Sequence, residues 1–299
     1  MKEYKTILFF CIMLSAIIGN AQSYVYLNDT AFLDLNGYKF GQIQWQESTD
    51  SINWDDIPGI TGNGAGIVPS VSKYYRAKIS GNNCDTFYSD IIKIDVIEFH
   101  CGDTLIDYRD CKKYPTVLIG SQCWMAKNLD VGIQINNGTQ IPANNSTIEK
   151  YCYDNDPANC IINGGLYTWD EMMNYSTNES SRGICPAGWH VPSDYEWVIC
   201  EISLGMDSTT AMQENIWRGS NEGTKLKAGG SSGYNALLSG GAMPGGTFTV
   251  LNEYEYMHSS SEFFNNGWRR CLRTGDETVG RWNTFPKTFG LSVRCVKNN

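Results

Sequence analysis

Histidine, basic residues and long apolar stretches are scarce in this sequence. It holds only three histidines and no Cys-x-x-Cys pair, which excludes the common zinc-binding patterns. Aspartate and glutamate outnumber lysine and arginine by 32 to 23, and the formal net charge of −9 argues against nucleic acids and anionic membranes as partners. Beyond residue 18 no stretch is apolar enough to span a bilayer. We therefore expect no metal, no cofactor, no nucleic acid and no membrane span.

Groups that could carry catalysis are equally sparse. His190 could act as a general base, but no serine or cysteine nucleophile with a recognisable elbow stands near it in the sequence. We interpret His190 as a structural residue that bonds to backbone, and Glu196 as a helix cap. We predict no catalytic residue.

The first residues have the form of an export signal. Lys2 and Lys5 precede an apolar run from Ile7 to Ile18, and the small residues of Gly19-Asn-Ala21 suit cleavage. The run, about 12 residues, is too short to cross a bilayer, although an uncleaved anchor is the alternative. We expect residues 1–21 to be a signal peptide and the mature chain, with a net charge of about −10, to be secreted or at the cell surface.

Residues 22–98 have the pattern of a β-sandwich. In Gln42-Ile-Gln-Trp-Gln46, polar and apolar residues alternate with the period of a half-buried strand. Further strands are predicted at 74–80 and 87–97, between clusters of glycine, proline, asparagine and aspartate. Short strands between such turns predict an all-β sandwich.

This region also resembles bacterial immunoglobulin-like modules of secreted proteins. The resemblance rests on Trp45-Gln-Glu-Ser-x-Asp-Ser-x-Asn-Trp54-x-x-Ile57-Pro-Gly59, followed by Tyr74-Tyr-Arg76. It implies a sandwich without the inter-sheet disulfide, because Ala77 stands where an antibody domain carries its core cysteine. We expect Trp45 and Trp54 to pack in the core and in a turn; a binding role for them is the alternative.

Tryptophan, glycine and cysteine recur at short fixed spacings in the second half. Three phrases stand out: Gln122-Cys-Trp-Met-Ala-Lys-Asn-Leu129, Cys185-Pro-Ala-Gly-Trp-His-Val-Pro-Ser193 with Glu196-Trp197 just after it, and Phe289-Gly-Leu-Ser-Val-Arg-Cys295. Such phrases are typical of a small disulfide-rich domain built from irregular loops. One helix is predicted at 194–204, because Ser193 and Glu196 form a capping box. Trp197, Cys200 and Leu204 would give it one buried stripe.

With the segments Val117–Leu129 and Gly165–Trp169, these phrases resemble the Fibrobacter succinogenes major paralogous domain family over residues from about 101 to 297. The resemblance implies a domain at 99–299, an α+β disulfide-stapled fold of C-type-lectin-like character. The function of the family is not established. Members usually carry Trp before Ser-Ser in the late hairpin, where this chain has Tyr256-Met-His-Ser-Ser260. A different ligand would explain that change, but we expect repacking.

Removal of the signal leaves ten of the eleven cysteines, which suggests a disulfide framework. Cys185 and Cys295 both lie in family motifs, and we predict that they are bonded. Two shorter bridges are also predicted, Cys152–Cys160 and Cys101–Cys123. Elimination then leaves Cys200–Cys271 and Cys84–Cys111, of which the last would clamp the two domains together.

Lectin-like folds often bind calcium through carboxylate and amide oxygens. Asp154-Asn-Asp156 offers oxygen ligands, yet the chain has no Glu-Pro-Asn or Gln-Pro-Asp triplet. We interpret the segment as a solvated acidic turn and predict no metal site.

The late part of the chain is rich in aromatic residues: Trp217, Tyr234, Tyr254, Tyr256, Trp268 and Trp282. Aromatic faces beside amides and charges suit sugar rings or peptide strands, although packing between strands is the alternative. We predict a shallow, metal-free binding surface of Tyr254, Glu255, Tyr256, His258, Trp268 and Trp282. The expected function is non-catalytic binding or adhesion to an extracellular glycan or a protein surface. The alternatives are a structural component of a surface assembly and an enzyme that acts on extracellular polymers.

Overall fold

The computed structural model describes residues 17–18, 24–27, 30–36, 38, 41–81 and 84–298, with the backbone alone at 17, 18, 36, 84 and 85. The chain divides into two compact units, Met1–Phe99 and His100–Asn299. The sequence-based boundary, between residues 98 and 99, lies beside this division. The expected signal peptide lies outside the described residues except for Ile17–Ile18. No helix in the described part combines the length and apolar character that a membrane crossing requires.

The described part of the first unit is built from strands. They are β1 (Ile17–Ile18), β2 (Tyr24–Tyr26), β3 (Ala31–Asn36), β4 (Gln42–Ser48), β5 (Asp55–Asp56), β6 (Gly64–Ile67), β7 (Lys73–Gly81), β8 (Cys84–Tyr88) and β9 (Ile92–Ile97). One sheet has the order β1-β3-β6, and the other has the order β2-β9-β7-β4-β5, with β8 also paired to β7. β2 and β9 pair in parallel, whereas β4 and β7 are antiparallel.

Both sheets of the first unit contribute to one buried cluster around Trp45. Trp45 lies opposite Ala77 of β7, and both side chains are fully buried. The indole Nε1 donates to the carbonyl oxygen of Gly62 at 2.9 Å. The prediction that Trp45 packs in the core is confirmed. Trp54 is partly exposed, and the guanidinium carbon of Arg76 lies 4.1 Å from its ring centroid.

The second unit mixes strands with short helices. Its strands are β10 (Thr104–Asp107), β11 (Lys112–Ile119), β12 (Gln122–Met125), β13 (Ile133–Gln134), β14 (Glu149–Lys150), β15 (Trp189–His190), β16 (Ile216–Arg218), β17 (Gly241–Met243), β18 (Thr247–Thr249), β19 (Tyr254–Phe263), β20 (Asn266–Arg273), β21 (Val279–Pro286) and β22 (Val296–Lys297). Its helices are α1 (Pro157–Asn163), α2 (Trp169–Met172), α3 (Asp194–Ser203), α4 (Ser208–Ala211) and α5 (Glu222–Leu226), with a 3-10 turn at Tyr153–Asn155. A five-stranded sheet has the order β10-β11-β12-β22-β15, and a four-stranded sheet has the order β16-β21-β20-β19. Two small sheets pair β13 with β14 and β17 with β18.

Helix α3 is the helix that the sequence predicted. Ser193 Oγ accepts a hydrogen bond from the Glu196 N–H at 3.2 Å, and Glu196 Oε2 accepts one from the Ser193 N–H at 2.7 Å. The capping box is therefore complete. Trp197 and Cys200 are fully buried, as predicted. The remaining α-helices have four to seven residues, which is too short to leave a periodic pattern in the sequence.

The motif tryptophans of the second unit are core residues. Trp124 of β12, Trp197 of α3 and Tyr234 are fully buried, with ring centroids 4.6 to 5.9 Å apart. Met257 and Leu272 of the four-stranded sheet belong to the same cluster. These rings therefore join the two larger sheets through α3, which explains why the motifs indicate an architecture.

A buried hydrogen-bond network links two of the motifs. Asn128 Nδ2 donates to Glu255 Oε1 at 2.9 Å, and Asn128 Oδ1 accepts from Arg294 Nε at 2.6 Å. Arg294 also donates to the carbonyl oxygens of Tyr234 and Asn235. Asn128, Glu255 and Arg294 are essentially inaccessible to solvent. Asn128 thus connects a buried carboxylate to a buried guanidinium.

A second buried network lies between α3 and the four-stranded sheet. Glu201 pairs with Arg218 at 2.5 Å and with Arg270 at 2.7 Å. Asp194 pairs with Arg270 at 2.5 Å and with Arg281 at 2.6 Å. All five side chains are buried, so three guanidinium groups face two carboxylates. Burial raises the pKa of Asp194, but the charges and hydrogen bonds of Arg270 and Arg281 outweigh it and lower the pKa.

Three disulfides lie in the second unit. One closes a short loop, and the others join segments that are farther apart in the sequence. The bonded pairs are Cys101–Cys123, Cys152–Cys160 and Cys185–Cys295, with Cα separations of 5.6, 5.0 and 6.0 Å. All three pairings were predicted, and the structure confirms them. Cys185 and Cys295 are 110 residues apart in sequence, so this bond ties the centre of the unit to its last strand.

Within the described residues, the two pairings obtained by elimination are wrong. Cys200 and Cys271 are buried free thiols. Cys200 packs on the side of the sheet that carries Leu272, whereas Cys271 faces the other side because neighbours along a strand alternate. Cys111 has a free, exposed thiol, which contradicts its pairing with Cys84. The Cys84 side chain lies outside the described residues.

Candidate functional site

The side of the four-stranded sheet that faces away from α3 carries a layer of aromatic rings. Across the four strands, Tyr256 lies opposite Cys271, Cys271 opposite Gly280, and Gly280 opposite Trp217. Directly opposed residues share a side of a sheet, and so do residues two positions along a strand. We call the resulting group of partly exposed side chains the aromatic face: Trp217, Tyr254, Tyr256 and Trp282.

The rings of the aromatic face are contiguous. Tyr254 and Tyr256 stack with their centroids 5.5 Å apart and their planes at 25°. The Trp217 centroid lies 6.3 Å from that of Tyr254 and 6.4 Å from that of Trp282. Phe285 extends the layer, 6.1 Å from Tyr256. These separations are within the range over which aromatic pairs attract each other, so the rings support one another.

A glycine creates the space that Trp282 occupies. A Cβ atom at Gly280 would lie 2.5 Å from Trp282 Nε1 and 3.1 Å from Cys271 Cβ. The φ of Gly280 is not left-handed, so the position requires glycine for its small size alone. Glycine inside a strand often marks such a close approach. The indole of Trp282 therefore packs over Gly280 of its own strand.

Two arginines of β20 contact these rings. The guanidinium carbon of Arg273 lies 4.3 Å from the Trp217 centroid, and that of Arg269 lies 4.6 Å from the Tyr256 centroid. Arg273 Nε also donates to Asp276 Oδ2 at 2.7 Å, so its charge is balanced. Cation–π contacts of this kind hold ring and guanidinium together. They help to fix the orientation of the Trp217 and Tyr256 rings.

Three of the six residues predicted to bind ligand are buried and do not belong to the aromatic face. Glu255 is fully buried on the inner side of the sheet, and Trp268, 7 % exposed, lies there beneath Arg281, whose guanidinium carbon is 4.4 Å from the ring centroid. His258 is 3 % exposed, and its Nε2 is 3.1 Å from the carbonyl oxygen of Tyr167. Burial lowers the pKa of His258 to about 4. Our interpretation of these three as surface residues was wrong, because strand alternation or a covering segment buries each one.

The other three predicted residues, Tyr254, Tyr256 and Trp282, lie together on the aromatic face. Their role in binding stays a prediction. Trp217 joins them from β16. It is one of the late aromatic residues of the sequence, but it was not predicted to belong to the binding surface. Trp217 is far from the other three residues in sequence, and only the register of the sheet brings its ring next to that of Trp282.

Two side chains form hydrogen bonds with His190, whereas hydrogen bonds to the backbone were predicted. Its Nε2 is 2.7 Å from Glu196 Oε1, and its Nδ1 is 2.7 Å from Asn298 Oδ1. Burial lowers the pKa of His190, but the hydrogen bonds to these two oxygens outweigh it and raise the pKa. The Ser193 hydroxyl donates to Glu196 at 2.9 Å. Both ring nitrogens of His190 contact other oxygens, so neither is placed to accept the Ser193 proton as a general base would.

The acidic turn at residues 154–156 has structural contacts. Asp156 Oδ1 accepts from the Ala158 N–H at 2.9 Å and so caps α1. Asn155 Oδ1 accepts from the Asn137 N–H at 2.8 Å. Across the described residues, no group of three or more histidine, cysteine, aspartate or glutamate side chains is placed to hold a metal ion.

A cleft of about 320 Å³ lies elsewhere on the second unit. It is lined by Asn137, Gly138, Thr139, Gln140, Ile141, Pro142, Tyr151, Thr168, Asp170, Tyr175, Pro244, Gly245, Lys287 and Thr288. No pattern in the sequence predicts this site, because its segments are far apart in the chain and share no motif. The only nearby signal is the Gly165–Trp169 motif, which contains Thr168 and ends beside Asp170.

The two units define a modular protein, with an all-β first unit and a disulfide-bonded α+β second unit. The chain belongs to the Fibrobacter succinogenes major domain family, whose model matches residues 117–297. Residues 15–98 match a domain of unknown function, DUF8696. No curated protein and no solved structure matches the chain. The family predicted from the motifs is thus confirmed, whereas the match of the first unit does not confirm an immunoglobulin-like module.

Proposed function

We propose that this chain is an exported, non-catalytic binding protein whose second unit recognises a glycan through the aromatic face. The observation that carries the proposal is the contiguous layer of Trp217, Tyr254, Tyr256 and Trp282 on the side of the sheet away from α3. The apolar C–H face of a sugar ring packs well on an aromatic ring. An open layer of such rings suits a glycan chain that lies across the sheet.

The surroundings of the aromatic face support a hydroxylated ligand. Arg273 and Asp276 form an ion pair beside Trp217, with Arg273 Nη2 and Asp276 Oδ2 in contact. The pair offers hydrogen-bond donors and acceptors to sugar hydroxyls without an unbalanced charge. Exposed aromatic groups that adjoin polar residues are a frequent sign of an interaction surface.

In this proposal the first unit is an immunoglobulin-like sandwich that presents the second unit, which has C-type-lectin-like character. The signal peptide at residues 1–21 would direct export and would then be cleaved. Three disulfides in the second unit support this destination, because such bonds form and persist in oxidising compartments. The mature chain would then be secreted or held at the cell surface, in contact with extracellular glycans.

A glycan array with the chain lacking residues 1–21 tests the proposal. The strongest ligand is then titrated against Trp282→Ala and Gly280→Ala. Loss of one stacking ring should weaken binding about tenfold. Gly280→Ala keeps the ring but adds a methyl group 2.5 Å from Trp282 Nε1, so it should also weaken binding.

Tyr195→Ala is the matched control, because Tyr195 lies on α3 and is 63 % exposed. It should bind like the unchanged chain. Near-ultraviolet circular dichroism checks that each variant is folded. The proposal is refuted if no glycan binds, or if a folded Trp282→Ala variant binds as tightly as the control.

A further inference from the structure

The cleft described above has walls that the fold fixes in place. The Asn137 side chain is buried, and its Nδ2 donates to the carbonyl oxygen of Met243 at 3.0 Å. Its N–H donates to Asn155 Oδ1 at 2.8 Å. Gly138 and Gly246 approach so closely that a Cβ at Gly138 would lie 2.9 Å from the Gly246 Cα. The two loops of the cleft are therefore joined to each other, and a ligand would not have to order them.

Two tyrosine rings in the lining are also held in position. The Tyr151 hydroxyl donates to the carbonyl oxygen of Gln140 at 3.2 Å, and the Tyr151 ring belongs to a buried cluster. The Tyr175 hydroxyl donates to Glu171 Oε2 at 2.9 Å. Because both hydroxyls are engaged by the protein, the tyrosines can offer the cleft mainly their ring surfaces. Further apolar lining comes from Ile141, Pro142 and Pro244.

One carboxylate in the lining is not used by the fold. Asp170 is exposed, and the described residues provide its carboxylate with neither a hydrogen bond nor an ion pair. Lys287 also lines the cleft, but its Nζ is paired with Glu262 at 2.9 Å and lies 3.9 Å from the Trp169 ring centroid. Neutral hydroxyl groups complete the polar lining, from Thr139, Thr168 and Thr288.

We propose that this cleft is a separate carbohydrate site that takes one or two neutral sugar units, with sugar hydroxyls donated to Asp170. The volume of about 320 Å³ is at the lower end of the range of ligand pockets, about 300 to 1,000 Å³, so it suits a small ligand. Rigid ring surfaces with a few polar groups are what a sugar needs from a binding site. The inference rests on the proposed glycan-binding function and adds a concave site to the aromatic face.

The charges in the lining disfavour an anionic ligand. The unpaired carboxylate of Asp170 would repel an anion, and Lys287 does not offset it because its ammonium group is already paired with Glu262. A carboxylate accepts hydrogen bonds from hydroxyl groups without requiring a charged partner. Such charge-assisted hydrogen bonds are stronger than neutral ones, so Asp170 should dominate the polar part of recognition.

Saturation-transfer NMR with glucose, galactose, mannose and N-acetylglucosamine tests this inference on the chain lacking residues 1–21. We expect at least one sugar to bind with a Kd of about 1 mM. Asp170→Asn should weaken that binding about tenfold or more. Thr139→Trp should block it by filling the cleft from an exposed position.

Two further variants separate this site from the aromatic face. Glu277→Gln removes an exposed carboxylate of the same unit outside the cleft lining and should leave sugar binding unchanged. The loss of binding caused by Asp170→Asn should have the same size in a Trp282→Ala background, because the two residues belong to different sites. The inference is overturned if no monosaccharide binds, or if binding survives in folded Asp170→Asn and Thr139→Trp variants. Binding lost only in Trp282→Ala would overturn it while the proposed function of the aromatic face stands.

Discussion

The buried network behind the four-stranded sheet makes a sharp prediction about stability. Glu201→Gln would leave Arg218 without a carboxylate, and Arg270 and Arg281 would share Asp194, in a region that solvent does not reach. Arg270→Met is different, because two carboxylates and two guanidinium groups remain. Glu201 would keep Arg218, and Asp194 would keep Arg281. We therefore predict that loss of the carboxylate costs more than loss of the central arginine.

The magnitudes follow from the pairing. Removal of one partner from a buried ion pair costs about 3–5 kcal/mol because a charge remains uncompensated, and we expect Glu201→Gln in this range. For Arg270→Met we expect about 1–3 kcal/mol, since hydrogen bonds to Glu201 and Asp194 are lost but each carboxylate keeps a partner. Arg273→Met is the matched control on the same strand. Its arginine is partly exposed, so its ion pair with Asp276 is screened by solvent and this variant should lose the least stability of the three.

Urea unfolding of the chain lacking residues 1–21, with its disulfides intact, measures these free energies. Near-ultraviolet circular dichroism is a suitable signal, because the buried ring of Trp197 lies 5.9 Å from the Arg270 guanidinium carbon. The expected order of destabilisation is Glu201→Gln, then Arg270→Met, then Arg273→Met. An equal or larger loss in Arg270→Met than in Glu201→Gln would refute the charge-counting argument.

Two other properties of the second unit can be tested in the same way. Replacement of Cys185 and Cys295 by serine should lower the free energy of unfolding by about 4–5 kcal/mol through the entropy of the unfolded chain, as measured in urea; a loss below about 1 kcal/mol would contradict this. His190→Gln should cost about 1 kcal/mol near pH 5.5 and less at pH 8.5. The fold raises the pKa of His190 above 6.5, so its contribution is complete below pH 6.5 and disappears as the pH rises through the raised value. The pKa of Glu196 is lowered from 4.5 despite burial, so the pair stabilises most between about pH 4.5 and 6.5; a pH-independent cost would refute the coupling.

Local signals in the sequence were sufficient for several elements. The capping box of Ser193 and Glu196 lies within four residues, so its geometry follows from the helix itself. The alternation around Trp45 predicts the burial of Ile43 and Trp45, and the structure agrees, although Gln46 is also buried. Cys185 and Cys295 were identified by the motifs that contain them. In each case the residues that decide the structure stand close together or inside a recognised phrase.

Elements that depend on strand register could not be obtained in this way. The pairing of Cys200 with Cys271 was reached by elimination, and elimination carries no information about which side of a sheet a cysteine faces. Tyr256 and Glu255 are neighbours on β19, yet Tyr256 lies on the aromatic face and Glu255 is buried on the other side of the sheet. An error of one position in the strand register would exchange their sides. The cleft depends on loops more than one hundred residues apart, such as those with Asn137 and Gly245, and no pattern joins them.

The motifs that identify the family and the residues that we propose for binding are largely different sets. Trp124, Trp197 and Arg294 lie in the motifs and are buried, so they maintain the packing between the sheets. Tyr254 and Asp170 stand outside the motif phrases and have solvent access. A domain built in this way can change its ligand by substitutions on the aromatic face or in the cleft without loss of its core. Ligand specificity should therefore be sought at those positions, where the fold places few constraints on the side chain.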